Sequence, residues 1–213
     1  MGVLAAVGFA LCMGGVMLFR EPLLERHIEY KTGYRCDIGK VVMDPRRSML
    51  ELRDMTIWNK APYPEGPLAQ VRRLRAEWHP GASRHFPKRL RLLELELDSL
   101  TVIRRSGNHF NVLEFVEALV DAWGSPPERH QPEDPEHALH IEEVWVLWDQ
   151  LIAVEAESSE GKRMEVLLEY EASHSDVTRI HEVSDPAIQV ARKHVDRFYM
   201  FSYLMDALRN LFR

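Results

Sequence analysis

The chain has 213 residues, with 33 Asp and Glu against 27 Lys and Arg and a formal charge of −6. That length holds one sizeable folded unit plus a short extension, and the negative balance offers no overall field that would draw the protein to nucleic acid. Two cysteines, Cys12 and Cys36, lie inside and beyond the first apolar run, so no disulfide framework is expected.

From Gly2 to Phe19 there is no charged residue. At ~1.5 Å per residue such a helix nearly matches a hydrocarbon layer ~30 Å thick, so residues 1–19 are expected to form a transmembrane anchor. A secretory signal would show a basic start and a small-residue cleavage site, and this run has neither clearly. Arg20, Arg26, Lys31 and Arg35 follow the run, a count that favours a cytoplasmic location for what comes after it. Residues 20–33 read as a short helix, with Leu23, Leu24 and Ile28 at helical spacing and Gly33 as its C-cap.

Beyond Tyr34 the period changes to two. Residues 36–43, 49–58, 68–78 and 90–105 read as four or five strands, broken at Asp44-Pro45, at Pro62 to Pro67 and at Pro80 to Pro87. In the last of them Leu93, Leu95 and Leu97 alternate with Glu94, Glu96 and Asp98, as a half-buried antiparallel strand requires. Residues 111–123 return to helical period, with Leu113, Val116 and Val120 on one stripe. Residues 34–123 thus form a β module closed by a helix.

Residues 124–138 carry four prolines and many charges, the chemistry of a linker. Strands resume over 139–184, with 139–148, 151–157 and 164–172 as three separate candidates. A final amphipathic helix is expected over 185–213, with Asp185 as N-cap, Pro186 in the first turn, and Val195, Phe198, Met205, Leu208 and Phe212 on an interaction stripe. The expected fold class is therefore α+β: an N-terminal transmembrane helix, a curved, mostly antiparallel sheet of about eight strands, one short internal helix and a C-terminal amphipathic helix.

The order of these parts resembles a known module. A short helix ending in Thr32, Gly33 and Tyr34 precedes a strand with Ile38, Gly39 and Val41. A second strand follows with Leu50, Leu52, Asp54, Ile57 and Asn59, then a step from Tyr63 to Leu68 and the leucine-rich run before the Gly107-Asn108 turn. This is similar to the N-terminal module of the AsmA-like family, related to the chorein-type bridge-like lipid transfer proteins. The resemblance implies an inner-membrane protein with the bulk of the chain in the periplasm, an apolar β-groove, and a part in lipid handling or envelope maintenance. No GxSxG elbow and no Gly-rich phosphate loop occurs, so no enzymatic activity and no cofactor are expected. The bilayer is the expected partner through residues 2–19, with phospholipid as ligand and a homo-oligomer or envelope protein as further partner. About eight strands at ~4.8 Å spacing span only roughly 40 Å, too short for a complete bridge from one copy.

Val144, Val146, Val166, Leu168 and Tyr170 are the candidate groove residues, facing lipid or a partner. Arg72, Arg73, Arg75, Lys88, Arg89 and Arg91 form a candidate basic patch for lipid phosphates or an acidic partner, although charge on an edge strand also deters unwanted pairing. His130, His137 and His140 lie in or beside the linker without metal-ligand spacing, and no metal site is expected. Glu94, Glu96 and Asp98 are weighed as an acid/base set against an ordinary solvated face, and the solvated face is preferred. The alternatives to lipid handling are an assembly scaffold without cargo and an envelope hydrolase.

Overall fold

The computed structural model describes residues 20–79, 89–105, 109–123, 140–155, 163–178 and 181–195. Helix α1 (Arg20–Thr32) leads into strands β1 (Cys36–Asp44), β2 (Met49–Trp58), β3 (Pro67–Trp78) and β4 (Arg89–Arg104). Helix α2 (Asn111–Trp123), strands β5 (His140–Glu155) and β6 (Arg163–Val177) and helix α3 (His181–Val195) follow. The six strands form one sheet in sequence order, and every neighbouring pair is antiparallel except β4 and β5, which run parallel. Parallel strands need a crossover rather than a hairpin, and the segment holding α2 supplies it.

The architecture corrects the expected one. The sheet has six strands rather than about eight, and its mostly antiparallel pairing is made mixed by one parallel contact, between β4 and β5. Among the described residues no helix is long and apolar enough to cross a membrane, which overturns the N-terminal transmembrane helix as part of the described fold. Residues 2–19 themselves lie outside the described residues, as does the helix stripe beyond Val195. The last described helix begins at His181, four residues before Asp185, and Pro186 sits inside it rather than in the first turn.

The strand count fell for a physical reason. A line of interruptions crosses the sheet at Gly39, Asp54, Arg72, Asp98, Asp149 and Glu169, where the ladder pairs are skipped or shifted. Asp54 (φ 52°) and Glu169 (φ 45°) adopt left-handed backbone there, and a Cβ on Gly39 would stand 2.9 Å from the Asp54 Cβ. Bulges of this kind bend strands and re-aim side chains. In β1 to β5 the inward parity changes at the line: Val144, Val146 and Trp148 are buried before it, Leu151 and Ala153 after it. Asp149 and Gln150 therefore look like a turn in sequence but lie within one continuous strand of 16 residues. Arg72 pins the line by pairing with Asp98 and, at 2.8 Å, with Asp149.

Three helices close parts of the apolar face. Leu24 and Ile28 of α1 and Phe115 and Ala118 of α2 pack on the cluster from β1 to β3, while Leu113 and Val116 of α2 join the cluster on β4 to β6. Two carboxylates of α1 also cap the open edge of β1. Glu25 Oε1 accepts from the Ile38 N–H at 2.6 Å and Glu21 Oε1 from the Val41 N–H at 3.1 Å. The Val41 bond holds the Glu21 carboxyl below its usual range. Gly33, at φ +72°, ends α1 with its N–H on the Glu29 carbonyl, a left-handed C-cap suited to glycine.

Cys36 is 3 % exposed within this first cluster. Burial, aided by Glu25 and Asp37, pushes its thiol up to about 12, so almost no thiolate exists at neutral pH. We expect native protein at pH 8 to leave Cys36 unalkylated by iodoacetamide over hours, and denatured protein to react within minutes. Rapid native labelling, read by peptide mass spectrometry, would show that β1 opens.

Candidate functional site

The registers stack side chains into rows that cross all six strands on one face, because directly opposed residues point to the same side of a sheet. The first row is Met43, Leu50, Ala76, Leu93, Val144 and His174; the second is Val41, Leu52, Leu74, Leu95, Val146 and Ala172. A third runs through Ile38, Met55, Val71, Leu97, Trp148 and Tyr170. Five interstrand steps of ~4.8 Å make each row roughly 24 Å long.

Coverage of the rows is uneven. Val41, Leu52, Val144 and Val146 are buried, whereas Leu50, Leu74, Ala76, Leu93 and Leu95 in the middle of the sheet are only partly so, and Met43 is 59 % exposed. An apolar band thus stays half open across β2, β3 and β4. The groove candidates Val144, Val146, Leu168 and Tyr170 come together in one buried cluster, with Val166 partly buried against it. Val183, Ala187, Val190 and Ala191 of α3 pack on that same cluster.

Among the described residues, two polar atoms on β6 have no partner. The Tyr170 hydroxyl is buried without a hydrogen bond, in a residue 8 % exposed, and so is the His174 Nε2. Burial pushes the Tyr170 phenol above its usual range. Leaving such a group unpaired costs about 1–3 kcal/mol, a penalty that a ligand atom at the same place would remove. These two residues end the third and first rows, with Ala172 between them at the end of the second.

The opposite face carries charged side chains, several of them paired with one another. Arg73 reaches Glu94 at 2.5 Å and also pairs with Glu96; Arg75 pairs with Glu77 and Arg91 with the same carboxylate. Glu77 is only 2 % exposed, so it is held by two guanidinium groups. Four of the six basic candidates, Arg72, Arg73, Arg75 and Arg91, therefore spend their charge on carboxylates of their own sheet. Arg89 opens β4, and Lys88 lies outside the described residues. Glu94 and Glu96, with Trp145, Leu147 and Glu171, line a shallow depression of about 180 Å³ on this face.

His140 Nε2 stands 3.6 Å from Asp176 Oδ1, and among the described residues no three potential ligands gather as a metal site. His130 and His137 lie outside the described residues, as do Phe198, Met205, Leu208 and Phe212; Val195 is the last residue of α3. No protein-family model, curated protein or solved structure matches the chain. The half-open leucines at the sheet centre and His174 were not singled out as ligand-facing from sequence. The alternation of Leu93 with Glu94 marks a face, but only the cross-strand register shows that this face continues from β1 to β6.

Proposed function

We propose that the protein handles lipid at the cell envelope without performing chemistry, holding one acyl chain across the half-open band between Leu50 and Val144. The observation that carries this reading is the continuity of the apolar rows over six strands together with their incomplete cover in the middle. Covering apolar surface gains ~25 cal/mol per Å², so roughly 200 Å² of acyl chain contributes about 5 kcal/mol before ordering costs, consistent with exchangeable holding. The AsmA-like resemblance supports an inner-membrane location with the sheet in the periplasm, and the uncharged run 2–19 supports contact with the bilayer. A homo-oligomer or an envelope partner would extend the groove.

Pairing of Glu94 and Glu96 with Arg73 supports the non-enzymatic reading of the charged face. A second reading, an assembly scaffold without cargo, is favoured by α3 sitting on the groove candidates. Solvent extraction of the purified full chain followed by mass spectrometry separates the two. We expect co-purified acyl lipid near one molecule per chain. Lipid-free protein that also takes up no added phospholipid from vesicles would overturn the lipid reading in favour of the scaffold.

A further inference from the structure

We infer that the β6 end of the apolar band is a headgroup site, in which the Tyr170 hydroxyl and the His174 Nε2 receive an acyl carbonyl oxygen, as in a fatty-acid carboxylate or an acyl ester. This rests on the acyl-binding reading above and adds to it the chemistry and direction of the ligand. Both polar atoms are buried and, among the described residues, unpartnered, and both residues lie on the apolar face of one strand, flanking Ala172. Ala172, the residue between them on that face, carries the smallest side chain of the three. Their row neighbours on β5, Val144 and Trp148, offer no acceptor there: the first is aliphatic, and the Trp148 indole N–H donates to the Gln150 carbonyl at 2.8 Å. The packing residues of α3, Val183, Ala187, Val190 and Ala191, have no polar side-chain atom at all.

The ligand must therefore bring the missing acceptor. The Tyr170 O–H and, in the matching tautomer, the His174 Nε2–H are each donors to which an acyl oxygen can offer a lone pair. Its hydrocarbon then runs along the rows, over Val146 and Leu95 towards Leu74 and Leu50, and ends near exposed Met43. The tail lies across the strands and the head at the β6 edge, beside α3.

The test uses the purified full chain and three ligands of equal chain length, dodecanoate, methyl dodecanoate and dodecane, delivered from the same cyclodextrin carrier and followed by calorimetric titration. Dodecanoate and its ester are expected to bind at least tenfold more tightly than dodecane. The double variant Tyr170→Phe with His174→Leu removes both polar atoms and should erase that preference, bringing the three affinities to within about threefold of one another. Its melting temperature should hold or rise, because two unpaired polar atoms leave the core. Equal binding of all three ligands by the wild type, or a preference that survives in the double variant, would overturn the headgroup site and leave the apolar band standing. Failure of all three to bind would overturn the acyl-binding reading itself. A preference for dodecanoate alone assigns the free acid, and equal preference for acid and ester assigns an acyl carbonyl.

Discussion

Asn111→Leu is expected to lower unfolding free energy by about 4 kcal/mol, read from urea denaturation of the purified protein. The Asn111 side chain is 0 % exposed and all its hydrogen-bonding capacity is used. Its Oδ1 accepts from the Ile103 N–H at 2.7 Å and the Val112 N–H at 2.9 Å. Its Nδ2 donates to the Thr101 carbonyl and to Asn59 Oδ1, both at 2.8 Å. One amide thus joins the end of β4, the start of α2 and the loop after β2. Leucine keeps the volume but leaves the Ile103 N–H and the Thr101 carbonyl without this partner, at ~1–3 kcal/mol each. A loss below about 1 kcal/mol would show that water reaches the junction and that α2 is not anchored by this amide. The effect should extend to ligand binding, because Leu113 and Val116 of α2 pack on the cluster that borders the apolar band.

Local signals in the chain are strong where one residue type meets one backbone demand. The helical spacing before Gly33 marks α1, the stripe of Leu113 and Val116 marks α2, and both occupy the residues expected of them. The alternation in β4 likewise marks which residues face inward. What sequence does not carry is pairing at long range. The parallel docking of β4 on β5 brings Leu95 beside Val146 across some fifty positions, and no local pattern encodes it. The line of interruptions misled in a specific way: a change of inward parity at Asp149 reads as a break between strands, whereas in the sheet it is one column of a defect shared by all six. The basic cluster shows the same limit. Arg73 and Arg75 look free until the β3 to β4 register sets them against Glu96 and Glu94. His174 reads as one polar residue among the serines of β6, and only its place at the end of an apolar row gives it significance.

Leu93 and Glu94 are neighbours in sequence that face opposite sides of the sheet, so substituting each in turn tests which face works. Leu93→Asp is expected to weaken dodecanoate binding about 100-fold or more. Leu93 sits between Ala76 and Val144 in the half-open band, and a bound chain would strip water from the new carboxylate with no lysine or arginine on that row to pair with it. A penalty of ~3 kcal/mol is modest for such a charge and already corresponds to about two orders of magnitude. Because Leu93 is only partly buried, the unliganded variant can hydrate the carboxylate and should fold, which circular dichroism would check. Glu94→Gln loses the ion pair to Arg73, but Glu96 still holds that guanidinium, so stability should fall by no more than ~1 kcal/mol and binding should not change. The reverse outcome has a definite meaning. If Leu93→Asp bound dodecanoate as the wild type does while Glu94→Gln lost function, the apolar band would be excluded as the site. The depression formed by Glu94, Glu96, Trp145, Leu147 and Glu171 would then be where the protein meets its ligand, and a carboxylate there would have a chemical role.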